Sequence, residues 1–289
     1  MKTLYLTDLD GTLLRSDERL SDFTANTINT LVASGVNFSY ATARSLVSAS
    51  RVTAGLVTEF PVICYNGGFV FENKSKEILQ AHYFASAEVE DLRRILSQHG
   101  ISPIVYAFVD GVEHFSFINK ARLRARFVPD QFTREEQNVT DGMRLFLDSR
   151  IGDPRRREVN CEDELYRGDM FYFIIIGTEP QLAPVSEIFK RDTRLHTIFH
   201  KDFYMDAWWC ELLPAKATKG AAALELKAML GCDRLVVFGD GINDIPLFSV
   251  ADEGYAMANA VPQLKEIATA VIDSNDNDGV AKWLEKRLL

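Results

Sequence analysis

Near its start the chain alternates short apolar runs that stop at polar residues with longer stretches whose apolar positions recur every three to four residues. Thr3-Leu4-Tyr5-Leu6-Thr7 is mostly apolar and β-prone, which predicts a buried strand ending at Asp8. Ser21 can cap a helix running to about Ser34, with Ile28, Leu31 and Val32 on its apolar face and Gly35 beyond its end. Val36 to Ala41 alternates like a strand and ends at Thr42-Ala43-Arg44-Ser45, with a further helix from near Ser45. Strand, helix and strand make a βαβ unit, so the sheet is expected to be parallel. Pro61 to Tyr65 predicts another short strand, closed by the turn Asn66-Gly67-Gly68.

The pattern then changes. Phe69 to Phe71 and Ile78 to Phe84 read as strands, and Ala87 to Gln98 as a helix. Pro103 to Val109 and Val112 to Ile118 flank Asp110-Gly111, a strong hairpin signal. Tyr106 and Phe108, like Phe115 and Phe117, alternate and so cover one sheet face. Helical and irregular sequence continues through Arg126 and Glu136, and Arg155-Arg156-Arg157 reads as a solvated polar loop. Asp169 to Gly177 predicts an apolar strand, Pro180 to Arg191 a helix, and Leu195 to Phe199 and Tyr204 to Leu212 two more strands. Hairpins mixed with helices imply an α+β module, residues 83–212, inserted into an α/β core made of residues 1–82 and 213–289. In the second core segment Thr218 can cap a helix to about Leu230, and Arg234 to Phe238 predicts a buried strand. Pro246 opens the next helix, Tyr255 to Met257 and Ala270 to Ile272 read as strands, and Val280 to Leu288 as a last helix.

The polar residues at the strand ends carry the chemistry. Asp8 and Asp10 are one residue apart and precede Gly11, at the carboxyl edge where open α/β sheets bind ligands. Two such carboxylates repel, and a divalent cation is the usual remedy. Gly239-Asp240-Gly241-Ile242-Asn243-Asp244 brings further oxygen ligands to another strand end. Thr42 falls on the same edge, where its hydroxyl can either donate to a phosphoryl oxygen or cap the following helix. Asn66 either lies beside the site or only makes its turn. Lys219 falls in the first turn of its helix, where the dipole disfavours a cation, so it either serves an anion or is solvated.

Composition narrows the partners. The 289 residues are 47% hydrophobic and 25% charged, enough to bury a core, and the net charge of -9 argues against nucleic acid and against an anionic membrane surface. The apolar start breaks at Asp8, too short for a signal peptide or a span, and no later segment reaches spanning length. Cys64, Cys161, Cys210 and Cys232 show no metal or redox spacing and read as buried free thiols, which suits a reducing cytoplasm. The histidines His82, His99, His114, His196 and His200 form no constellation. Oligomeric state is not legible.

Asp8-Leu9-Asp10-Gly11-Thr12, Thr42, Lys219 and Gly239 to Asp244 resemble the four ordered motifs of the haloacid dehalogenase superfamily. The large insertion resembles its Cof-type, class IIB branch, many of whose members are sugar-phosphate phosphatases. Asn66-Gly67-Gly68, Met257-Ala258-Asn259-Ala260 and Ser274 to Val280 are similar to segments of that branch; Ala43 departs from its usual glycine. The resemblance implies a Rossmann-like core with a mobile cap that selects the substrate, a small phosphorylated metabolite. It implies Asp8 as nucleophile and Asp10 as general acid and base. It further implies Mg2+ on the Asp8 carboxylate, the Asp10 carbonyl and Asp240. Thr42, Ala43, Arg44, Asn66, Lys219 and Asn243 would surround the phosphoryl group, and Asp244 would orient Lys219. A phosphomutase or phosphotransferase would share this core, and a non-catalytic phosphometabolite sensor would have no need of both Asp8 and Asp10.

Overall fold

The computed structural model describes residues 2–57, 60–118, 146–201 and 207–289. The chain forms two compact units, one of Met1–Ala81 with Lys216–Leu289 and one of His82–Ala215.

The first unit begins with β1 (Thr3–Thr7), whose Leu4 and Leu6 are fully buried. Helix α1 (Asp22–Ala33) follows, and the Ser21 hydroxyl accepts the Thr24 N–H at its start. Strand β2 (Asn37–Tyr40) pairs with β1 in parallel, as the βαβ pattern predicts. Helix α2 (Leu46–Val52) is capped by Ser45, not Thr42. Then come β3 (Val62–Cys64), β4 (Phe69–Phe71) and β5 (Ile78–Ala81), an antiparallel meander attached to β2 through a parallel Ala41–Ile63 bridge.

The second unit is a six-stranded sheet carrying helices on one face. Helix α3 (Ser86–Gln98) precedes the hairpin of β6 (Ile104–Val109) and β7 (Val112–Ile118). Its turn residues Asp110 and Gly111 both have positive φ, at 52° and 79°, as the mirror-image turn requires. The predicted helical stretch through Arg126 and Glu136, including Arg122, Arg124 and Arg126, lies outside the described residues. Strand β8 (Arg156–Val159) pairs in parallel with β7, so the arginine run is not the solvated loop that its polarity suggests. Arg155 is mostly buried and pairs with Glu113 and Asp153, both at 2.7 Å, and Arg156 lies over the Phe117 ring. Long apolar stems let arginine occupy an edge strand while its head stays paired. After α4 (Glu162–Leu165) come β9 (Asp169–Gly177), α5 (Glu179–Lys190), β10 (Leu195–Lys201) and β11 (Trp208–Pro214). The order is β10-β11-β9-β6-β7-β8. Val89, Leu92 and Leu96 of α3 and Leu182, Val185 and Phe189 of α5 pack on Phe173, Ile175, Cys210 and Leu212 of the sheet. Because β11 pairs to its end, with Pro214 opposite Leu195, this unit reaches Ala215, past the position 212 read from the sequence.

The first unit resumes with α6 (Lys219–Met229), capped by Thr218, then β12 (Arg234–Gly239), α7 (Ile245–Phe248), β13 (Glu253–Ala256), α8 (Pro262–Ile267), β14 (Ala270–Val271) and α9 (Gly279–Leu288). The parallel order β14-β13-β12-β1-β2 puts β1 and β12 side by side at the centre. All four cysteines are free; Cys161 is exposed, contrary to expectation, because it sits at the start of the short α4.

Candidate active site

The site is built where β1 and β12 end, within the first unit. The Asp8 N–H extends the ladder by donating to the Phe238 carbonyl at 3.0 Å. The chain then turns. Asp10 (φ −73°, ψ 125°) and Gly11 (φ 72°, ψ −1°) have the angles of the two central residues of a type II turn, which needs a glycine second. A Cβ on Gly11 would also lie 2.3 Å from an Asp240 carboxylate oxygen, so the turn backbone rests against that side chain. Thr12 donates to the Asp240 Oδ1 at 2.8 Å, and Asn259 donates to the Gly11 carbonyl at 2.7 Å. Asn259 in turn accepts the Asn275 N–H, and the Asn275 side chain donates to the Leu14 carbonyl at 3.0 Å. The two late segments singled out by resemblance therefore brace the first loop.

Asp8, Asp240 and Asp244 form a cluster in which one carboxylate oxygen of each lies within 4.8 Å of the others. Lys219, which is 1% exposed, donates to Asp8 Oδ1 and Asp244 Oδ1, both at 2.7 Å. Asp244 is fully buried, and its second oxygen accepts the N–H groups of Asp240 and Gly241, both at 3.0 Å. Burial pushes the Asp8 carboxyl well above its ordinary value; Lys219 pulls it back, while Asp244, Asp240 and Asp10 push it further up. Burial, then Asp244, raises Asp240 to about 7, against the hydrogen bond from Thr12. Burial pulls the Lys219 ammonium down, but Asp244 and Asp8 outweigh it and hold it above the usual lysine value. One ammonium faces three carboxylates.

That donor set fits a hard divalent cation such as Mg2+, which takes oxygen ligands. Asp244 is saturated by three donors, whereas Asp8 and Asp240 each accept a single side-chain bond among the described residues. The unmet oxygens are therefore on Asp8 and Asp240, the two aspartates whose carboxylates the resemblance implies for the metal, beside the Asp10 carbonyl.

The remaining expected residues gather around this cluster in two groups. Asp10 is not one of the three, and Arg44 grips both of its carboxylate oxygens. Arg44, counted among the phosphate-surrounding residues from sequence, also donates to Glu18 at 2.7 Å and to Ser48 at 3.1 Å. Thr42 is fully buried and its hydroxyl accepts the Arg44 N–H at 3.1 Å, which ties Ala43 into a tight turn. In the second group Asn66 (φ 52°) accepts from Asn243 at 3.1 Å. Gly67, with φ +97°, approaches α6 so closely that a Cβ would stand 2.2 Å from the Thr218 carbonyl oxygen. Sequence reasoning missed Thr12 and Glu18 as contributors. Thr12 lay inside a recognised motif; Glu18 left no signal, since its only unusual property is a backbone φ of +61°.

Residues 5–284 match the family model for haloacid dehalogenase-like hydrolases. The chain is 24% identical over 286 residues to the 5-amino-6-(5-phospho-D-ribitylamino)uracil phosphatase YitU of Bacillus subtilis strain 168, covering 98% of this chain and 96% of that protein. A haloacid dehalogenase-like hydrolase from B. subtilis superposes with a TM-score of 0.76 at 21% identity, over 100% of both chains. The subclass IIB sugar phosphatase BT4131 superposes with a TM-score of 0.71 at 19% identity, covering 99% of this chain and 98% of its own. Among the described residues no helix is long and apolar enough to cross a membrane. With a family match running almost end to end, the chain belongs to the haloacid dehalogenase-like hydrolases, in their Cof-type branch, and is an enzyme of the phosphoric monoester hydrolase class.

Proposed function

We propose that the protein is a Mg2+-dependent phosphatase of small phosphorylated metabolites, sugar or sugar-alcohol phosphates first among them. The observation that carries this reading is the buried cluster of three carboxylates around one lysine at the ends of β1 and β12. The sugar-alcohol phosphate named for the B. subtilis relative and the sugar phosphatase among the structural neighbours support the substrate class.

Asp8 is the nucleophile: one carboxylate oxygen attacks phosphorus and the ester oxygen leaves, giving an aspartyl-phosphate. Asp10 gives a proton to the departing oxygen, then takes one from the water that cleaves the intermediate, so phosphate departs and Asp8 is restored. Lys219 holds Asp8 and meets the phosphoryl oxygens with positive charge, and Asp244 fixes the direction of its ammonium. The Thr42 hydroxyl, the Ala43–Arg44 turn, Asn66 and Asn243 line the phosphoryl position. Mg2+, held by Asp8, Asp240 and the Asp10 carbonyl, would neutralise charge that otherwise repels a phosphate. The unit His82–Ala215 serves as the substrate-selecting cap. Four free cysteines fit work in a reducing cytoplasm.

A phosphate-release screen over sugar phosphates, sugar-alcohol phosphates, nucleotides, flavin mononucleotide and pyridoxal phosphate tests this. Release that stops in chelator, returns with Mg2+ and needs no bisphosphate activator is the expected result. Full release in excess chelator contradicts the metal assignment, and dependence on a bisphosphate identifies a mutase.

A further inference from the structure

Glu18 stands in an unusual place. Its φ of +61° lies in the left-handed region, which asparagine and glycine enter readily and glutamate does not. The turn that holds it is closed by the Glu18 N–H on the Arg15 carbonyl at 2.8 Å and the Arg15 N–H on the Arg19 carbonyl at 3.0 Å. Neither bond uses the glutamate side chain. What the side chain does is reach Arg44, whose Nη2 donates to Glu18 Oε2 at 2.7 Å.

The Arg44 side chain is only 15% exposed, and its donors are shared among three elements. Nε and Nη2 serve Asp10, Nη2 also serves Glu18, and Nη1 serves Ser48 of α2. A planar guanidinium whose fork is fixed from several sides imposes its orientation on the carboxylate it grips. The acceptors do not share a role. Asp10 is the group that must turn to a leaving oxygen; Glu18 has no such task and is 59% exposed. While Asp10 is away, a mostly buried cation still needs a counter-charge.

We propose that Glu18 is a positioning residue: it holds the Arg44 guanidinium in place and keeps it paired, so that Asp10 is aimed in the resting site yet free to leave for the substrate. The inference rests on the proton-transfer role proposed for Asp10. Without Glu18 the whole cation falls on Asp10, the pair tightens and loses its fixed orientation, and proton delivery suffers.

The test is steady-state kinetics of the full chain with Mg2+, on aryl phosphates of graded leaving-group basicity and on a sugar phosphate. Glu18→Gln should lower kcat about tenfold on the sugar phosphate, the scale of one charge-assisted hydrogen bond. KM should stay the same, and the best aryl leaving group, which needs little proton, should lose less than about twofold. Glu18→Asp keeps the charge on a side chain one methylene too short for Arg44, so it should not restore turnover. Glu18→Asn separates this role from a structural one, because asparagine accepts the left-handed turn but is too short to reach Arg44. It should match or exceed the wild type in thermal stability and still lose turnover on the sugar phosphate. An active wild type equalled by Glu18→Gln on every ester, or a loss equal across the series, overturns the positioning role alone. A wild type inert on all the esters overturns the phosphatase reading and this inference with it.

Discussion

Both units of this protein bury carboxylates, and they treat them differently. In His82–Ala215 the buried Glu211 receives the Tyr172 hydroxyl on one oxygen and His200 Nε2, at 3.0 Å, on the other. In the unit built from the two ends of the chain, Asp8, Asp240 and Asp244 cluster about one ammonium that bonds Asp8 and Asp244, and among the described residues the bonds are unequal: Asp244 has three donors while Asp8 and Asp240 have one side-chain donor each. A buried charge costs free energy unless it is paired and hydrogen-bonded. Glu211 meets that condition within its own sheet. The aspartate cluster, with one ammonium bonded to two of its three carboxylates, falls short of it, which is where the proposed cation would act. Uncompensated charge, more than burial, separates a site from a polar core.

The contrast can be broken in graded steps. Asp10→Asn keeps the backbone carbonyl and every carboxylate of the cluster, so Mg2+ affinity by titration calorimetry should hold while sugar-phosphate turnover falls roughly 10²–10⁴-fold. Lys219→Gln removes the ammonium that bonds Asp8 and Asp244. Turnover should drop roughly 10²–10³-fold, and in chelator the fold should lose about 3–5 kcal/mol by denaturant titration, since two buried carboxylates lose their partner. Added Mg2+ should return part of that stability.

A pH series sharpens the same point. Asp240 is raised to about 7 in the folded protein from an ordinary value near 4. A folded-state pKa above the unfolded one means stability that is complete below about pH 4 and lost as pH climbs through about 7. Metal-free protein should therefore lose thermal stability across that window, and the gain in Tm on adding Mg2+ should grow across it. A gain independent of pH would show that these carboxylates do not hold the ion. The smallest effect belongs to the other unit. Glu211→Gln keeps both hydrogen bonds possible and should cost less than about 1.5 kcal/mol, with the Mg2+-induced Tm gain unchanged. A changed Mg2+ response would break the contrast.

The core strands were legible because each is a short apolar run stopped by the residues that do the chemistry, as at Thr3–Thr7 before Asp8 and Arg234–Gly239 before Asp240. Lys219 was legible as an oddity, a cation at a helix start, and the oddity resolves into two buried ion pairs. Arg155 to Arg157 misled because polarity was read as exposure, although guanidinium heads can be paired while their stems line a strand. Glu18 was illegible for another reason. Its partner Arg44 lies 26 positions away, and backbone conformation in a five-residue turn leaves no periodicity to read. The roles of side chains in His82–Ala215 are illegible in the same way, since they depend on which residues the sheet brings together.

The central claim is a covalent intermediate on Asp8, and rapid quenching tests it most directly. Wild-type enzyme mixed with a labelled nitrophenyl phosphate and quenched in acid within the first turnover should carry the label on Asp8, located by peptide mass and released by hydroxylamine. Asp8→Asn, equally folded, should carry none. Label on another residue, label retained by Asp8→Asn, or phosphate release with no trapped species even when the second step is slowed by Asp10→Asn, would contradict it.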